Sequence, residues 1–103
     1  MNKNMHKHIE NVANIIAAKK FDGEPSNDAK QMAQQFNVDI ECLRQKGANG
    51  DPEYIVMSTN KENVQKFLKE YFKGAGWPTE DIAMVHGPWL ANDVWFTTVD
   101  WVE

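Results

Sequence analysis

Between Lys7 and Lys20, the apolar residues Ile9, Val12, Ala13 and Ile16 recur at the i, i+3, i+4, i+7 spacing of one helical face. The loop FDGEPSND follows, with Gly23 and Pro25 as breakers and Ser26 or Asn27 placed to cap a second helix. That helix sets Ala29, Met32, Ala33 and Phe36 on one face, and Asn37 suits its end because Asn tolerates the left-handed conformation. Farther on, Asn49-Gly50 is a strong hairpin signal of the type I′ kind, with Tyr54-Ile55-Val56-Met57 as the returning strand. Thr59 and Glu62 have capping-box spacing, and the helix they open lines up Val64, Phe67, Leu68 and Tyr71 before stopping at Gly74. After the GAGWP break, Ile82–Val85 reads as a short strand. Val94 to Trp101 alternates aromatic and β-branched residues and reads as another.

Residues 28–45, DAKQMAQQFNVDIECLRQ, carry two readings. In one, Met32 and Ala33 pack a first helix, Asn37 makes a turn, and Leu43 takes the buried position of a second helix. Read so, the stretch resembles the helix-turn-helix unit of small DNA-binding transcriptional regulators, which implies DNA recognition through residues 29–46. Lys46 then stands where that unit buries an apolar residue, and Asp39 and Glu41 would face phosphates at the start of the recognition helix, where each charge repels. In the other reading, Val38, Ile40 and Cys42 alternate inward and Asp39 and Glu41 outward, as in a strand. The strand explains residues 38–42 without strain and is preferred, with the helix-turn-helix regulator kept as the alternative. The expected order is therefore α-α-β-β-α-β-β, an α+β domain over residues 1–103 with its helices on one face of a small, mainly antiparallel sheet.

Charge changes the picture more than overall composition does. The net charge of −4 is unevenly spread: residues 1–73 hold all eleven Lys and Arg against ten acids, whereas residues 74–103 hold five acids and no base. All four tryptophans (Trp77, Trp89, Trp95 and Trp101) lie in that acidic end. Such a segment disfavours contact with phosphates and suits a basic protein surface. Along the last strand, Trp95, Thr97, Val99 and Trp101 share one face and Val94, Phe96 and Thr98 the other, so both faces are rather apolar. The face without helices needs a cover: a loop carrying Trp89, a second protomer in a homodimer, or a partner.

Candidate chemistry is sparse. Cys42 is alone, which excludes an internal disulfide and a cysteine-built zinc site. His6 and His8 sit two apart, a spacing that does not converge on a helix. His86, in VHGPW, is either a general base or partner contact, or a loop histidine bonded to backbone; no nucleophile or acid pairs with it by spacing. Glu80 and Asp81 are adjacent, so their carboxylates do not converge as a catalytic pair and instead suit a capping or solvated role after Pro78. KGANG lacks phosphate-loop spacing, and Lys61, Lys66, Lys69 and Lys73 form a helical polar surface. The opening MNKNMHKHIE has no apolar signal core, and no apolar run approaches the ~20 residues of a bilayer span, so the expectation is cytoplasmic placement, whether in its own cell or an infected host.

The expected function is a non-enzymatic protein-binding module without cofactor or metal. It would present Glu80, Asp81, Trp89, Asp93, Asp100 and Trp101 to a basic protein partner, with no membrane contact and no tight, sequence-specific nucleic-acid binding. In size and composition the chain is similar to phage- or mobile-element-encoded inhibitors of host defence, anti-CRISPR proteins among them. That likeness implies an inhibitor (a viral protein) that competes for a positively charged channel.

Overall fold

A computed structural model describes residues 3–102. Its elements are α1 (Lys3–Ala18), α2 (Asn27–Gln35), β1 (Asp39–Arg44), β2 (Glu53–Ser58), α3 (Lys61–Tyr71), α4 (Thr79–His86), β3 (Trp89–Ala91) and β4 (Val94–Asp100). The strands form one antiparallel sheet in the order β1-β2-β4-β3. This is the expected α+β class with one helix more, α4. Ile82–Val85 is not a strand but part of α4, and the first C-terminal strand is β3, closer to the chain end.

The central strands explain the layering. Tyr54, Ile55, Val56 and Met57 of β2 and Phe96, Thr97, Thr98 and Val99 of β4 are all buried, so both faces of the sheet are covered. On one face, Ala29, Ala33, Val64, Phe67, Leu68 and Ile82 from α2, α3 and α4 pack with Cys42, Tyr54, Val56 and Val99. On the other, Val12 of α1 joins Ile55, Met57 and Phe96, with Ile9, Ala13, Ile15 and Ile16 packed around them. The expectation of helices on one face is therefore corrected: α1 is the missing cover, with Trp89 packed beside it. Among the described residues, Thr97 Oγ1 is the one buried side-chain oxygen without a hydrogen-bond partner, a cost of about 1–3 kcal/mol that the surrounding burial offsets.

Helix ends follow local chemistry. Ser26 Oγ accepts from Ala29 N–H at 3.3 Å to cap α2. At its far end Asn37 takes φ +55°, while Val38 N–H reaches Ala33 O and Asn37 N–H reaches Gln34 O, a Schellman closure. Lys19 closes α1 in the same way at φ +54°. The cap of α3 is Asn60, one residue beyond Thr59: its side chain accepts from Glu62 N–H at 3.0 Å.

Asp39–Arg44 is a strand paired with β2, with a register shift at Leu43, so the helix-turn-helix alternative for residues 29–46 has no recognition helix and is withdrawn. The outer edge of β1 is guarded, with Asp22 N–H donating to Cys42 O at 2.9 Å and Gln45 holding Asp22 from its side chain and backbone. Cys42 is fully buried, and burial pushes its thiol pKa up, leaving a poorly reactive sulfur.

The two hairpins divide the turn signals in an unexpected way. Between β1 and β2, Gly50 N–H donates to Gly47 O and Gly47 N–H to Asp51 O, enclosing Ala48-Asn49-Gly50 as a three-residue loop. Of the Asn49-Gly50 pair only Gly50 has positive φ, at +86°, so the turn is not type I′. The type I′ geometry belongs to Asn92 (φ +53°) and Asp93 (φ +65°), which join β3 to β4. A Cβ on Gly50 would meet nothing within 4 Å, so Gly50→Val tests backbone strain alone. Urea melts should show a loss of about 1–3 kcal/mol; an unchanged midpoint would refute the left-handed requirement.

Candidate functional site

The last turn of α3 ends in Tyr71 and Phe72, and the loop after it turns back through Gly74 and Gly76, both at positive φ. That reversal lays Trp77 on Phe72 as a stacked pair, with ring centroids 5.1 Å apart and planes at 17°. His86, the last residue of α4, packs on Phe72 at 4.9 Å and lies 6.5 Å from Trp77. Tyr71 meets Phe72 edge-on at 4.8 Å and Trp101 at 6.2 Å, and Trp101 continues to the buried Tyr54 at 6.0 Å. The result is an aromatic strip from the core at Tyr54 to solvent at Trp77, which is 44% exposed.

Hydrogen bonds pin the strip at both ends. Trp101 N–H donates to Pro52 O at 2.8 Å, and Tyr71 donates its hydroxyl to the backbone oxygen of Asp100. His86 Nδ1 lies 3.1 Å from Thr98 O. Strand β3 pairs with β4 only as far as Phe96, so this imidazole serves the carbonyl that lies beyond the end of β3. Its role is thus a backbone contact, with Nδ1 donating. Burial lowers the His86 pKa from its ordinary value, partly opposed by the Thr98 hydrogen bond and the Asp100 charge. Tyr71 is shifted the other way, its pKa raised by burial first and then by Asp100 and Asp51.

Charges surround the strip. Glu80 and Asp81 are exposed in the first turn of α4, which has no side-chain cap, so their carboxylates face the positive end of the helix dipole. One turn later Met84 and Val85 stand on the same outer side, with Met84 72% exposed. Of the six residues expected to bind a partner, Trp101 belongs to the strip, Asp100 meets it through the backbone oxygen that accepts from Tyr71, and Glu80 and Asp81 follow Trp77 by three and four residues at the start of α4. Trp89 does not join them: it packs on Phe96 at 5.8 Å, on the α1 side of the sheet. Asp93 is a turn residue at the opposite end of β4 from Asp100, about 20 Å away along the strand.

Phe72, Trp77, Met84 and Val85 are not among the six residues that the sequence marks for partner binding. A helical reading of Thr79–His86 would have found the last two, because it turns Ile82 inward and sets Met84 and Val85 out. His8 Nε2 lies 3.2 Å from Thr98 Oγ1, whereas His6 is exposed. Lys61 Nζ sits 4.7 Å from the centroid of Trp95. Among the described residues, no group of three or more His, Cys, Asp or Glu could hold a metal ion, and no helix is long and apolar enough to cross a membrane. The chain matches no protein-family model, no curated protein and no solved structure.

Proposed function

We propose that the protein is a non-enzymatic binding module whose aromatic strip and outer α4 face dock on a larger protein with a basic surface. The observation that carries this reading is the company kept by the exposed apolar groups: Trp77, Met84 and Val85 stand in solvent beside Glu80 and Asp81. Large apolar side chains rimmed by charge are the usual anatomy of an interaction patch. The rim is acidic, which favours a basic protein and repels nucleic-acid phosphates. In its finer form, the module is an inhibitor that covers a positively charged channel in host defence or nucleic-acid machinery, as the likeness in size and composition to phage-encoded inhibitors implies.

Two kinds of side chain should fail differently. Rim charges set association rate and its salt dependence, whereas a desolvated tryptophan anchor sets dissociation. With a partner captured from lysate and surface-plasmon kinetics, Asp81→Lys with Asp100→Lys should slow association and flatten its salt dependence. Trp77→Ala should speed dissociation about 30-fold, the equivalent of ~2 kcal/mol. Thermal melts of the double charge variant should stay close to the parent, because Asp81 and Asp100 are exposed, whereas Trp77→Ala should lose about 1 kcal/mol with its stack on Phe72 and remain folded. Unchanged kinetics in both would overturn the proposal, as would submicromolar binding to random DNA duplexes by fluorescence anisotropy at low salt.

A further inference from the structure

A second feature lies where α1 passes the edge strand β3, which begins just after α4 ends. A cleft of about 460 Å³ opens there, lined by Ile9, Trp89, Leu90 and Trp95 with His6 and Glu10 on its α1 side. The walls are mainly aromatic and aliphatic, and Leu90 is 56% exposed at the mouth. The Glu10 carboxylate has no ion-pair or hydrogen-bond partner among the described residues, whereas the two salt bridges there use Lys30–Glu24 and Arg44–Glu53. Trp95 faces the α3 side of the sheet, where the Lys61 ammonium already lies over its ring, so the indole open to an incoming cation on the α1 side is Trp89, which packs with Phe96. Indole faces attract ammonium and guanidinium groups electrostatically, and a nearby carboxylate adds to that attraction.

The strand beside the cleft offers backbone as well. Ala91 and Val94 close the two-residue turn as a hydrogen-bonded pair, so antiparallel alternation points Leu90 N–H and C=O away from β4 to the outer edge of the sheet. An extended chain laid along that edge meets one donor and one acceptor next to an aromatic, acidic cleft. Pairing with a sheet edge supplies affinity in such a mode, and the adjacent cleft supplies side-chain selection.

We infer that the α1–β3 cleft is a subsite for a cationic side chain, arginine or lysine, from an extended basic segment of the protein partner. This rests on the binding-module reading for the source of the cation, but the subsite stands apart from the α4 surface and can fail separately. The probe is the blocked tripeptide acetyl-Val-Arg-Val-amide, with a comparator carrying neutral citrulline in place of arginine. Indole N–H resonances in an NMR titration of the full chain report on each tryptophan.

The arginine peptide should shift the Trp89 signal saturably and leave those of Trp77 and Trp101 unmoved. The citrulline peptide should bind more weakly. Glu10→Gln, an exposed change on α1, should weaken the arginine peptide about 3- to 5-fold, the size of an exposed ion pair. Asp81→Lys with Asp100→Lys should leave this titration unchanged even though it impairs docking of the whole partner. Equal binding of both peptides, or no effect of Glu10→Gln, would overturn the subsite without touching the α4 proposal.

Discussion

Val12→Asp is expected to unfold the domain or to strip α1 from the sheet, with a loss of several kcal/mol. Val12 is 1% exposed and packs in one cluster with Ile55, Met57 and Phe96, two of which are fully buried. An aspartate there carries an unpaired carboxylate into an apolar layer, and its only relief is protonation or exposure. Both routes cost much of the 5–15 kcal/mol that an ordinary domain has in hand. Val12→Ala, as the milder comparator, should cost about 2 kcal/mol through lost contacts and a residual cavity. Urea unfolding followed by far-UV circular dichroism measures both, and dye binding to exposed apolar surface reports whether α1 has lifted. A melt unchanged by Val12→Asp would mean that the second face of the sheet is open, and the cover would then have to come from another chain.

That experiment bears on what could be read in the chain beforehand. The face of Val94, Phe96 and Thr98 was visibly apolar by alternation, and the stripe of Ile9, Val12, Ala13 and Ile16 was visible by helical spacing. Nothing local joined the two. Periodicity says that a face must be buried but carries no record of which distant element buries it. The same limit applies to the aromatic strip. Tyr71 looked like one more position on the α3 stripe, and only the return of β4 brings Trp101 to it.

Local chemistry was legible where one residue type dominates the geometry. Ser26 caps α2 and Asn37 ends it in the left-handed region because their short polar side chains make those conformations affordable. The eight-residue α4 escaped notice because it lacks a side-chain cap and its Ile82-Ala83-Met84-Val85 run has the length and composition of a strand. Gly50 has the positive φ that its sequence context implies, but the type I′ turn forms at Asn92-Asp93, where no glycine announces it. Asp93 accordingly moves from the expected partner surface to a structural position. The acids that remain near the strip were found by charge asymmetry, a property of the whole segment that survives errors in its secondary structure.

Removing the His86 side chain should destabilise the domain by about 2–3 kcal/mol and abolish part of its acid sensitivity. His86→Ala takes away the donor to Thr98 O and leaves that carbonyl short of a partner beyond the end of β3, a cost of about 1–3 kcal/mol by itself. The ring contacts with Phe72 and Trp77 disappear with it. The pH dependence follows from burial, which lowers the His86 pKa in the folded state relative to an unfolded value near ~6.5. Between those two values the unfolded chain binds more protons, so stability rises with pH. The contribution is therefore complete above about 6.5 and is lost as pH falls toward the folded pKa. Nδ1 donates to Thr98 O in both protonation states, so the acid loss comes from placing a charge in a desolvated site and not from breaking this bond. Glu41 responds with the opposite sign, since burial first and then Asp39 raise its pKa. Thermal melts of the parent and of His86→Gln from pH 7 to 5.5 separate the two, because only the histidine differs between them. The parent should lose stability across that range, whereas His86→Gln, which keeps an N–H donor but cannot take up a proton, should melt at nearly constant temperature. A parental slope retained in His86→Gln would show that another group carries the acid sensitivity, and that the imidazole at the end of α4 acts through its packing alone.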